Sequence, residues 1–348
     1  VAAVKRPLYI SVGGAVTPAG LNARQTISAI RANLSAFQEV PLSEPFPTTQ
    51  IVARIPAKPG LRRNDGVWLA SMGARALKEA MLDDKATPDQ TAVLLALPES
   101  FRDHPAYEDV DRGRLLNAIF ERCGLRFNAG SRVFDGGAAA SAGLLDYASD
   151  MLESGTAAQV LLGGVDSLVN ETDIARLMRA NRLKSESNAQ GTVPGEGAVF
   201  VRLTRAPGSG PAAMICGAGL AQEIDSVLSE RQSQGRAMVA SLLAAFSGSG
   251  PKEPDIEFLV SNGNGERYSG LEQLVGRSRF YRTHREIFPT AYPAMTVGDI
   301  GAASAALVLM LAADSFISGY APGRVAACEL ASEGGNRSAI ALTSLRQR

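Results

Sequence analysis

The sequence predicts an α/β protein built from two duplicated halves, and three observations carry that prediction. Short, fully apolar runs alternate with longer segments of helical spacing along the chain, the pattern of strands covered by helices on both faces. A helix-like segment in the middle of the chain recurs near its end. Both copies are small and apolar nearly all round, as helices enclosed within a fold are.

The elements follow in order. "PLYISVG" (Pro7–Gly13) reads as a strand, and "LNARQTISAIRANL" as a helix with Ile27, Ile30 and Leu34 on one face. "DGVWLASMGARALKEAMLDD" reads as a second helix, with Asp65 as its cap. "TAVLLALP" (Thr91–Pro98) is a buried strand, and "DRGRLLNAIFERCGL" a helix that stops near Gly124. "RVFDGGAAASAGLLDY" (Arg132–Tyr147) is a short strand that breaks at Gly136-Gly137 and opens into an alanine-rich helix. "AQVLLGGVDS" and "GEGAVFVRL" are two more apolar strands. Apolar strands separated by helices predict a mostly parallel sheet.

The repeat sets the division of the chain. Sliding Gly137 onto Gly301 also brings Ala138 onto Ala302, Ala139 onto Ala303, Ala148 onto Ala312, Asp150 onto Asp314 and Gly155 onto Gly319. Two further echoes keep the same order: "PLYISVGGA" with "PAAMICGAG", and "AVLLALPES" with "EFLVSNGNG". "TRAPGSGPA" (Thr204–Ala212) is the linker between the copies, so the halves are 1–205 and 206–348. Five layers are expected: helix, sheet, two central helices, sheet, helix.

Composition excludes several functions. Lysine plus arginine equals aspartate plus glutamate, at 35 each, with no long basic run, which argues against a nucleic-acid groove. No membrane span and no secretory signal are expected, hence a cytoplasmic chain. Cys123, Cys216 and Cys328 are far apart and form no CxxC pair; they read as reduced thiols. Cys216 and Cys328 fall in apolar strands, a setting for inert core thiols. No metal-ligand spacing is visible, and no cofactor is implied.

A strand–sharp turn–helix junction is where several enzyme families mount a nucleophile, because the helix N-terminus offers unpaired N–H groups and partial positive charge. Here the turn carries Ala138, which has no reactive atom. Ser141 stands one turn further on and should point away from the turn. The chain has two histidines, His104 in the polar stretch "ESFRDHPAYEDVD" and His284 in "YRTHREIF"; both read as surface residues.

These segments resemble, nearly end to end, a thiolase-fold protein of the β-ketoacyl-acyl-carrier-protein synthase family. "ISVGGAVTPAGLNARQTISAIRANLSAF" is similar to the family's opening G-x-G-x-V-S/T-P-x-G and first helix. "GAAASAGLLDYASDMLESGTAAQVLLGGVDS" is similar to its nucleophile helix and the strand behind it, and "GTVPGEGAVFVRL" to its G-x-x-x-G-E-G strand. "AMTVGDIGAASA" resembles the K-x-x-x-G-H-x-x-G-A segment, and "SEGGNRSAIAL" the closing G-F-G-G-x-N.

The resemblance implies a thiolase-like fold and a site of one cysteine and two histidines. Carried over, the cysteine position is Ala138. The first histidine position, in "VSNGNGE", is Asn262, give or take one residue. The second, in "VGDIG", is Gly298, or Asp299 if the loop slips, and the preceding lysine falls near Pro293. No catalytic residue is therefore assigned. The resemblance leaves Asn262, Asp299, Gly334 and Gly335 as a ligand-binding remnant, because an amide can donate to an oxyanion without titrating.

Three functions are then open. The chain is a non-catalytic subunit, a homodimer or a heterodimer with a synthase-like subunit, joined through the strand at Arg132–Asp135, with an acyl carrier protein in reach. Or it is an accessory protein: cysteine-free relatives occur in bacterial type VI secretion clusters beside effectors and adaptors. Or it is an acyl-thioester-binding or acyltransferase enzyme of fatty-acid or polyketide metabolism with unfamiliar catalytic residues.

Overall fold

A computed structural model describes residues 7–41, 49–57, 66–82, 86–99, 111–207, 213–229 and 231–345. Its strands are β1 (Leu8–Val16), β2 (Phe37–Pro41), β3 (Thr49–Ala53), β4 (Thr91–Leu97), β5 (Arg132–Asp135), β6 (Gln159–Ser167), β7 (Glu196–Thr204), β8 (Ala213–Gln222), β9 (Phe258–Ser261), β10 (Thr290–Ala291), β11 (Val325–Ala331) and β12 (Asn336–Ser344). The α-helices are α1 (Ala23–Arg31), α2 (Gly66–Ala80), α3 (Arg112–Cys123), α4 (Ser141–Glu153), α5 (Glu171–Arg179), α6 (Arg236–Ala245), α7 (Arg267–Phe280), α8 (Ala294–Val297) and α9 (Ser304–Ser318). Asp65, His104 and part of the linker, 208–212, lie outside the described residues.

Ten strands run in the order β10-β9-β11-β12-β8-β1-β7-β6-β4-β5. Read outward from the middle, β1-β7-β6-β4-β5 and β8-β12-β11-β9-β10 are the same arrangement twice. The two copies touch through a short antiparallel pairing of Leu8–Ile10 with Ala213–Ile215. The three sequence echoes are β1 with β8, β4 with β9, and the helices α4 with α9. The sheet is not mostly parallel. Only β4, β5 and β6, and their counterparts β9, β10 and β11, pair in parallel; β7 and β12 reverse direction. An apolar run reports burial of both strand faces, and says nothing about strand direction.

Alternating side chains on each strand feed different cores. In β4, Leu94 and Ala96 face the central core, while Val93, Leu95 and Leu97 face an outer core under α2 and α3. In β6, Val160 and Leu162 face inward, and Leu161 and Val165 outward. The second copy repeats this with α6 and α7 over β8, β9, β11 and β12. α9 packs against strands of both copies and is buried from Ala305 to Ala313. The segment Gly301–Ser318 is long and apolar enough to cross a membrane, but 78% of it is buried inside the fold. α4 buries Leu144, Leu145, Ala148 and Leu152 and leaves an open side at Gly143 and Tyr147.

Local chemistry fixes the element ends. Asn22 and Asn170 cap α1 and α5 through their side chains. α3 ends where expected, with Gly124 left-handed at φ 67°. α1 stops at Arg31, short of Leu34, which is exposed. Gly164 lets α9 approach: a Cβ there would lie 2.3 Å from the Ala302 carbonyl oxygen. Glu196, fully buried at the start of β7, accepts hydrogen bonds from the Ile55 N–H (2.8 Å), the Trp68 indole N–H (2.8 Å) and the Ser167 hydroxyl (2.9 Å). One carboxylate thereby ties the chain after β3, the helix α2 and the end of β6 together.

Candidate functional site

The parallel strands β4, β6, β9 and β11 all end at one cleft of about 390 Å³, the place where open α/β sheets bind ligands. The structure brings Ala138, Asn262, Asp299 and Gly334 into its wall, together with Asn264, Glu266, Glu333, Arg176 and Arg182. Gly298 and Gly335 are not in the wall. Gly298 carries the left-handed turn after α8 (φ 72°), so the side chain this loop presents is that of Asp299. Pro293 caps α8.

At the turn before α4, Gly137 is left-handed (φ 61°), with space filled by the Ser332 side chain, 2.6 Å from where a Cβ would stand. The Ser332 hydroxyl accepts the Ala139 N–H (2.8 Å) and donates to the Gly136 carbonyl (3.2 Å). One of the N–H donors that this helix start would offer an anion, that of Ala139, is therefore already engaged. Ser141 turns back, its hydroxyl donating to the Ala138 carbonyl at 2.8 Å. His284 is exposed on the loop after α7. Among the described residues, no cysteine or histidine lines the cleft. Burial pushes the Cys123 and Cys216 thiols up to about 11 and Cys328 higher still, so they stay protonated.

The two asparagines of "VSNGNGE" divide their tasks. Asn262 clamps the end of β11: its amide donates to the Ala331 carbonyl (2.8 Å) and to the Ser304 hydroxyl (3.2 Å), and accepts the Ala331 N–H (2.9 Å). Asn264 reaches across the cleft to the Asp299 carboxylate at 2.8 Å and also donates to Glu266 at 3.2 Å. Asn264 was not singled out by sequence reasoning. Its signal was the N-x-N spacing, since alternate residues of an extended segment share a face.

Charge holds the rest of the wall. Arg182 bonds Glu266 (2.6 Å) and also Glu333, and Arg176 bonds Glu333 (2.8 Å) and Asp173 (3.1 Å). Arg337 and Glu272, both buried, meet at 3.0 Å through both carboxylate oxygens. Burial tends to raise the Glu333 carboxyl, but the two guanidiniums outweigh it and hold it below its usual range. Asp166, at the end of β6, accepts the N–H groups of Ala302 (2.9 Å) and Ser167 (2.8 Å). Burial, aided by the charges of Asp173 and Asp299, raises it to about 7 against the lowering effect of those bonds. Burial also raises Asp299 and Glu99.

A pH dependence follows. Asp166, Asp299 and Glu99 bind a proton more tightly in the folded chain than in the unfolded one, so folding is favoured by protonation. The Asp166 contribution is largest below about pH 4 and is lost as pH rises through about 7, and those of Asp299 and Glu99 fall in the same direction. Urea midpoints should therefore be higher at pH 6 than at pH 8, and Asp166→Asn should flatten that slope. An unchanged slope in the variant would show that Asp166 does not titrate there.

No family model matches the sequence, and no curated protein matches it. Solved structures do. The chain is similar to a chain of the ishigamide ketosynthase/chain length factor, 18% identical with a TM-score of 0.68, covering 98% of this chain and 100% of that one. It is similar to a chain of the ketosynthase ApeO in complex with its chain length factor ApeC from Xenorhabdus doucetiae (14%, TM-score 0.72, 97% and 98%). It is also similar to a chain of AntDE:AntF, a type II PKS acyl-carrier protein in complex with its ketosynthase (13%, TM-score 0.76, 98% and 100%). The protein has the ketosynthase-type thiolase fold over nearly its whole described length.

Proposed function

We propose that this protein is a non-catalytic ketosynthase-type subunit that pairs with a synthase-like partner. The observation that carries the reading is the start of α4, where Ala138 stands at the turn and the neighbouring helix N–H is given to Ser332. A thioester entering the cleft would meet neither a cysteine thiol nor an imidazole among the described residues. Two of the similar structures are ketosynthases with a chain length factor, which supports a pairing role.

The pairing surface follows from the sheet. β5 is the last strand on its side, and an unpaired edge is a template for another strand. Beside it, Phe134 and Tyr147 meet edge to face at 5.8 Å, and a Cβ at Gly143 would touch nothing. Gly143→Arg should therefore leave the fold intact and drive the protein to monomer in light scattering at micromolar concentration. A variant that associates as the wild type does would place the interface elsewhere.

The partner is a second copy, an active synthase subunit, or a component of a secretion cluster. Co-purification of the tagged protein from its native cytoplasm tests the reading. Recovery of a synthase-like chain with an acyl carrier protein supports it, and recovery of secretion effectors or adaptors alone supports the accessory role.

A further inference from the structure

The cleft carries more carboxyl groups than its own cations answer, and a bound cation would favour the ionised form of those that burial raises, Asp166, Asp299 and Glu99. Seven carboxylates line it against three guanidiniums. The arginines are committed: Arg182 and Arg176 to Glu333, Glu266 and Asp173, and Arg337 to Glu272. Asp299 is held by neutral donors, the Asn264 amide at 2.8 Å and the Gly301 N–H at 2.9 Å. A carboxylate or phosphate ligand would enter against this field; a cation would be drawn in by it.

A second observation is independent of charge. Thr192, in the same wall, is 1% exposed, and its hydroxyl has no hydrogen-bond partner. Its backbone is fully used, the N–H donating to the Arg182 carbonyl and the carbonyl accepting from Lys184, both at 2.8 Å. Valine would fill the same space without the cost of an unpaired buried hydroxyl. The next residue, Val193, accepts the Asp299 N–H at 2.8 Å, so Thr192 and Asp299 belong to adjoining stretches of the wall.

We propose that this cleft binds a small organic cation of the primary alkylammonium class, its N–H donors shared between the Thr192 hydroxyl and the Asp299 carboxylate. A cleft of about 390 Å³ is of small-molecule size. Among the described residues, no three acidic, histidine or cysteine side chains are grouped to hold a metal ion, so the charge suits an organic cation better than a divalent one. The proposal goes beyond the pairing role and stands or falls separately from it, since it concerns the cleft and not the β5 edge.

The test is calorimetric titration of the full chain at pH 7.5 with n-butylammonium and 1,4-diaminobutane. 1-Butanol and butyrate serve as neutral and anionic matches. Both amines should bind about tenfold or more tighter than butanol, the value of a charged hydrogen bond, and butyrate should not bind. Thr192→Val should weaken amine binding about tenfold while keeping or raising the thermal midpoint, which separates lost recognition from lost fold. Asp299→Asn should weaken it further. Butanol binding as well as butylammonium, no heat from either amine up to about 10 mM, or unchanged affinity in Thr192→Val would each overturn the proposal.

Discussion

Glu196→Ala should lower the stability of this protein by about 3–5 kcal/mol. The carboxylate receives the Ile55 N–H, the Trp68 indole N–H and the Ser167 hydroxyl in a site with no solvent exposure. Alanine leaves all three donors buried, each at about 1–3 kcal/mol, offset in part by the charge no longer being desolvated. A domain commonly has about 5–15 kcal/mol in total, so the variant should unfold at a much lower urea concentration. Glu196→Gln should fall between, because it keeps an acceptor oxygen but turns an NH₂ toward a donor. A loss below about 1 kcal/mol in Glu196→Ala would show that water takes the place of the carboxylate.

Restoring a thiol by Ala138→Cys should restore no turnover. The introduced sulfur would sit at the start of α4, where a helix N-terminus lowers a thiol's pKa, so alkylation by iodoacetamide is expected. Condensation requires more than a nucleophile. The cleft offers the Asn264 amide, which does not titrate, and the Asp299 carboxylate, already accepting from Asn264 and Gly301. The Ala139 N–H is spent on Ser332, so one of the donors at this turn is withdrawn from any negative charge developing on a thioester oxygen. Intact-mass analysis and carbon dioxide release from a malonyl-thioester should give no adduct and no gas for the wild type, and at most an acyl adduct for the variant. Turnover by the unmodified protein would sink the non-catalytic reading. Turnover by the variant alone would show that Asn264 and Asp299 can replace imidazoles.

The partition of information between chain and fold is visible in particular residues. β4, β6 and β7 were legible because each carries an apolar run of several residues, and α3 because Gly124 ends it in a left-handed turn. The duplication was legible because α4 and α9 both need small residues where helices and strands meet closely, as at Gly164 against Ala302. These are local demands, and a local demand leaves its mark in a short stretch of sequence.

Strand direction was not legible, since burial on both faces looks the same in β6 and in the antiparallel β7. Nor was the division between Asn262 and Asn264. Which of two nearby amides clamps the backbone at Ala331 and which crosses to Asp299 depends on β11 and on the turn before α9. Ser332 reaches Ala139 across 193 positions, Arg182 reaches Glu333 across 151, and Arg182 reaches Glu266 across 84. The chain alone disclosed the long apolar strands, the repeated helices and the alanine at the turn before α4. Which carboxylates, amides and guanidiniums share the cleft follows from the fold, because hydrogen bonds and ion pairs act over a few ångströms and it is the packing of the two halves that makes distant residues neighbours.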